Sequence, residues 1–136
     1  MLLAAEKMKC KELPKAPSRL AQWPCQIKQV PTHAPYFAGA DLLLTAACAA
    51  FACGSFHQDF MRGHITLVGC PASEGEEIEK LAAILKENEI RSLKVVRMEV
   101  PCCSGLELAA EQALQQSGKQ IPLQLITLST DGKILD

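Results

Sequence analysis

A chain of 136 residues with 14 Lys plus Arg against 15 Asp plus Glu, a net charge of −1 and 49% hydrophobic residues is the size of one domain. Its core needs neither disulfides nor a metal to hold it together. The near-neutral balance and the lack of a dense basic run exclude nucleic acid and anionic membrane surfaces as expected partners.

Residues 1–21 are Lys-rich, contain Pro14 and Pro17 and keep no period, so they read as an N-terminal arm in which Cys10 is an incidental thiol. Residues 22–136 read as the folded domain. Trp23-Pro24-Cys25 leads into a weak alternation over Gln26 to Val30 that suits a first strand, ended by Pro31. The rings of Trp23, Tyr36 and Phe37 would cover the sheet edge or shield a cofactor. Leu42 to Ala46 has the length and apolarity of a buried parallel strand, and Cys48 follows at once. A helix is expected over Ala49 to Arg62, with Phe56 and Phe60 four apart, weakened by Gly54 and stopped by Gly63.

His64 to Val68 is the next strand, running into Gly69-Cys70-Pro71. Ser73 and Glu76 have capping-box spacing, and Ile78, Leu81, Ala82 and Leu85 continue a helix to about Asn88. Leu93 to Val100 is a third apolar run, broken by Pro101 and followed by adjacent Cys102 and Cys103. Beyond them Leu106, Ala109, Ala110, Ala113 and Leu114 fall on one helical face, closed by Ser117-Gly118. Ile121 to Leu128 makes a last core strand, and the Asp131-Gly132 turn returns Lys133 to Leu135 as a short edge strand. The pattern predicts an α/β class: one three-layer domain with a mainly parallel sheet of four to five strands.

Seven cysteines are many for such a chain, and an odd number points to metal or redox chemistry over a disulfide framework. Four of them, Cys48, Cys70, Cys102 and Cys103, stand at three successive strand-to-helix corners. Free backbone N–H groups and the positive end of a helix dipole favour thiolate there. Crossovers of one hand bring the carboxyl ends of parallel strands to one edge, where ligands gather, so the four sulfurs are candidate ligands of an iron–sulfur cluster or zinc. No C-x-x-C pair is present, and neighbours on extended backbone point apart, which suits a [4Fe–4S] cubane better than one tetrahedral ion.

Cys53 and His57 are candidate additional ligands, with packing and a helix-surface role as their alternatives. Cys25, ahead of the first strand, is expected at the opposite edge. Glu99 would tune a potential or face solvent. No nucleophile–base pair is readable, so an electron carrier ranks above a small cluster- or thiolate-dependent redox or sulfur-chemistry enzyme, and above a structural zinc module. The longest apolar run, from Leu42, is too short to span a bilayer, and the Lys-rich N-terminus lacks a leader's apolar core, so a cytoplasmic location is expected.

Trp23-Pro24, Ala34 to Phe37, Gly39 to Leu43, Cys48, Phe56 to Phe60, Gly69-Cys70-Pro71 and Arg97 to Cys103 together resemble the C-terminal domain of ferredoxin-like iron–sulfur proteins of anaerobic bacteria. The resemblance covers Trp23 to Leu135 and implies a cluster and a redox partner protein; self-association is compatible with it. Those proteins usually begin with a C-x-x-C-x-x-C-x-x-x-C-P ferredoxin module, absent from this sequence, so a single cluster is implied. A fold-level analogy to the iron–sulfur subunits of respiratory complex I and nickel–iron hydrogenases favours Cys102 and Cys103 both binding.

Overall fold

The computed structural model describes residues 17–69, 75–100 and 104–135. Four parallel strands, β1 (Ala40–Ala46), β2 (Ile65–Gly69), β3 (Ile90–Met98) and β4 (Leu123–Leu128), form one sheet in the order β2-β1-β3-β4. The helices are α1 (Ala47–Ala52), α2 (Gly75–Glu87) and α3 (Ser104–Ser117), with a 3-10 turn at Pro35–Phe37 and a π-helical turn at His57–Met61. No helix among the described residues is long and apolar enough to cross a membrane.

The central strand explains itself. Leu42, Leu43, Leu44 and Ala46 of β1 are all buried, as an interior parallel strand covered on both faces requires. One face, with Leu44 and Gly69, meets Leu106 of α3, and α2 and α3 pack against each other above it. The other face, with Thr45, Thr66 and Val68, meets α1, Phe56 and Met61. Leu81, Ile84 and Leu85 of α2 and Leu106, Ala110 and Ala113 of α3 are buried at the helical spacing their sequence predicts. Strand β4 is an edge, and its first two residues are exposed.

Several expected elements take another form. Gln26 to Val30 is not a strand but a turn joined to β2 by a single parallel bridge, Gln26 to Val68. Gln29 N and Val30 N both donate to Gln26 O, so Ile27 and Val30, three apart, both reach the core; that spacing belongs to a turn, not to alternation. The helix expected over Ala49 to Arg62 breaks at Cys53, whose φ of −100° and ψ of 111° are extended. Strand β3 starts at Ile90 and ends at Met98, and β4 starts at Leu123. Lys133 to Leu135 does turn back, through one antiparallel bridge between Leu128 and Ile134.

Phe37 is buried against the half-buried Tyr36, ring centroids 4.8 Å apart, whereas Trp23 is 77% exposed and covers nothing. The outer edge of β2 is closed instead by Gln22: its Nε2 donates to Thr66 O at 2.6 Å and its Oε1 accepts from Thr66 N at 3.4 Å. This side chain imitates a neighbouring strand where an edge would otherwise be open. The Ser73 capping position lies outside the described residues.

Candidate metal centre

The strand order decides which corners are neighbours. Ala46, the last residue of β1, is the register partner of Gly69, the last residue of β2, and Thr45 is the partner of Val96 on β3. Because all three strands run the same way in the order β2-β1-β3, their carboxyl ends form one rim, with adjacent backbones roughly 5 Å apart. Cys48 stands two residues past Ala46 in the first turn of α1. The chain enters Cys70 directly from Gly69, and enters Cys102 and Cys103 two residues past Val100.

Cys48 is exposed and free. It fits the role of a cluster ligand: its thiol is not taken by a disulfide, and its helix, Ala-Cys-Ala-Ala-Phe-Ala, carries no charged side chain to compete. Cys70, Cys102 and Cys103 lie outside the described residues. Among the described residues no group of three or more His, Cys, Asp or Glu side chains comes together.

The approach to the rim is tight at Gly69. A Cβ there would stand 3.2 Å from Leu106 Cδ1 and 3.3 Å from Leu44 Cδ1, so a glycine before Cys70 lets α3 close against the end of β2. On β3 the Nε of Arg97 is buried with no hydrogen-bond partner. Glu99 is exposed, and it does not stand alone: its Oε2 accepts from Thr130 N at 2.8 Å and its own N donates to Leu128 O, tying the C-terminal turn to the end of β3.

Cys53 caps the carboxyl end of α1, and His57 opens the π-helical turn that follows. Cys53 is 6% exposed, with Sγ 3.7 Å from Ser55 Oγ, and packs in the core as a small hydrophobe. His57 Nδ1 accepts the backbone N–H of Arg19 at 3.1 Å. A neutral ring with Nδ1 accepting carries its hydrogen on Nε2, so ligating a metal would require giving up that bond or that proton.

Cys25 is placed differently from expectation. Its carbonyl accepts from Val68 N at 2.8 Å, near the carboxyl end of β2, and it lines a cleft with Ala46 and Ala47; it lies toward the cysteine rim and not at the opposite edge. The expectation assumed a full strand after Cys25, which would have carried the chain the length of the sheet.

The opposite rim holds the described ion pair with the clearest electrostatics. Asp41 Oδ1 accepts from Arg91 Nε at 3.1 Å and from Ser92 Oγ at 2.6 Å, while Asp41 Oδ2 pairs with Arg91 Nη2. The Arg91 hydrogen bond first, then that of Ser92, holds the Asp41 carboxyl down at about 2 against an ordinary 3.8.

The sequence model of a family described as a Rossmann-like domain matches residues 34–136. An uncharacterised protein of Archaeoglobus fulgidus is 30% identical over 115 residues, which span 83% of this chain and 81% of that one. No solved structure matches.

Proposed function

The chain belongs to the Rossmann-like domain family, in whose open α/β sheets ligands collect outside the carboxyl ends of the strands, and we propose that it is an iron–sulfur protein. One [4Fe–4S] cluster is held by Cys48, Cys70, Cys102 and Cys103 and exchanges electrons with a redox partner protein. The observation behind this reading is the parallel order β2-β1-β3, which makes neighbours of the three strand ends that lead into cysteine. The resemblance of Arg97 to Cys103 and of Gly69-Cys70-Pro71 to ferredoxin-like iron–sulfur proteins supports the finer choice of cluster.

The first corner argues in the same direction. A dinucleotide-binding domain has glycines between its first strand and helix so that a pyrophosphate can approach the backbone. Here that turn reads Ala46-Ala47-Cys48-Ala49: side chains stand where a phosphate would lie, and one of them is a thiol.

The cluster would supply reversible one-electron chemistry. The chain's own part is to hold it through four thiolates, to keep charge away from it with the alanines of α1, and to present Phe51, 92% exposed on that helix, as an apolar contact for the partner.

Protein purified without oxygen tests this. About four irons and four acid-labile sulfides per chain are expected with four cysteine ligands, together with visible charge-transfer absorption. Zinc in place of iron would make the chain a structural metal module. Absence of iron and sulfide would end the proposal.

A further inference from the structure

On the face of the sheet away from α2 and α3 lies a cleft of about 180 Å³ between α1, the π-helical turn and β2. Its walls are mostly apolar, from Ala50, Phe56 and Met61 among others, and five side chains that can form hydrogen bonds, Ser18, Cys25, Thr45, His57 and Thr66, line it.

Thr66 is the informative residue. It is 2% exposed, and its Oγ1 is buried with no hydrogen-bond partner. Its backbone is already satisfied on the outer side by Gln22. In register, Thr45 is the partner of Val68 and Leu43 that of Thr66, so Thr66, Val68 and Thr45 share one face, and all three line the cleft. A buried hydroxyl left unpaired is costly, and cores rarely keep one without a reason. His57 adds to it: with Nδ1 occupied by Arg19 N–H, the neutral ring has a hydrogen on Nε2 to donate.

We infer that this cleft is a binding site for a small, neutral, largely apolar molecule bearing one oxygen acceptor, such as a ketone, aldehyde or alcohol, with the oxygen hydrogen-bonded by the Thr66 hydroxyl. Size agrees with this class, since an apolar cavity of about 150 Å³ accepts benzene; the cleft has room for one ring and one polar substituent. It uses none of the four proposed cluster cysteines, so its test is separate from theirs.

The full chain is titrated with cyclohexanone, benzyl alcohol and toluene, followed by two-dimensional NMR. Saturable shifts are expected at Thr66, His57 and Ala50 with all three probes. Thr66→Val, close to isosteric, weakens cyclohexanone and benzyl alcohol by roughly five-fold, the factor of one neutral hydrogen bond, and leaves toluene unchanged. Thr66→Ser keeps the oxygenated probes within about two-fold. Ala50→Leu, on exposed α1, fills the cleft and removes all three. Saturating cyclohexanone also slows alkylation of Cys25 by iodoacetamide. No saturable shift, or equal losses of toluene and cyclohexanone in Thr66→Val, would overturn the inference; if Thr66→Val fails to fold, unaltered binding by Ala50→Leu would do the same.

Discussion

Replacing Gly132 by alanine disturbs the seam between the C-terminal turn and α1, the helix that carries Cys48. Gly132 has φ of +88°, where an alanine costs roughly 1–2 kcal/mol on backbone grounds alone. Its Cβ would also overlap the carbonyl oxygen of Ala52 and stand 3.1 Å from Cys53 Cα. Those are backbone atoms that cannot swing aside, so α1 or the turn must move, at a further cost of about 1–3 kcal/mol as for an overpacked core.

Gly118 supplies the control. Its φ is +71°, but nothing lies within 4 Å of its Cβ position, so Gly118→Ala carries the backbone cost only. Gly132→Ala should therefore lose about 2–5 kcal/mol and Gly118→Ala about 1–2 kcal/mol. In a domain of this size the gap corresponds to a Tm difference of about 3–12 °C. Urea titrations followed by circular dichroism, with thermal scans alongside, measure both. Equal losses in the two variants would show that the contact with Ala52 is not rigid and refute the reasoning.

Asp41 has a depressed carboxyl pKa, about 2 against 3.8, so its contribution is fully present above the ordinary value and is lost as pH falls from about 4 towards 2. Since the Arg91 partner is largely exposed, the loss should be only about 1 kcal/mol, and Asp41→Asn should flatten that part of the stability–pH curve in urea titrations. Asn88, 5% exposed, donates from Nδ2 to Thr32 O at 2.7 Å and to Ile84 O at 2.8 Å. Asn88→Ala should lose about 1–3 kcal/mol, measured by the same titration, and an unchanged midpoint would contradict it. Gln22→Ala should speed hydrogen exchange at the Thr66 amide by exposing the outer edge of β2, without changing exchange in β3; equal exchange would show that Gln22 does not close that edge.

Where burial alone selects the conformation, the fold was legible. The run Leu42 to Ala46 could only be an interior strand, and the periodic leucines and alanines of α2 and α3 name their own buried faces. Legibility failed where a long-range partner decides. Ile90-Arg91-Ser92 has loop composition, yet it is strand because Asp41 on β1 binds both Arg91 and Ser92. Ile27 and Val30 looked like poor alternation, and their spacing of three is that of the turn they form. Of the candidate site, the edge location of the corners follows from strand order, and Cys48 stands there exposed; Cys70, Cys102 and Cys103 lie outside the described residues. The cleft at Thr66 had no signal, because Cys25, His57 and Thr66 meet only through folding.

Cysteine accessibility in protein purified without oxygen, read by alkylation and peptide mass spectrometry before and after chelation of iron, tests the central claim most directly. If one cluster joins them, Cys48, Cys70, Cys102 and Cys103 are protected together while iron and sulfide are bound, and become reactive together when they are removed. Cys48 alkylating at the same rate in both states, or four reactive thiols in iron-replete protein, would contradict it.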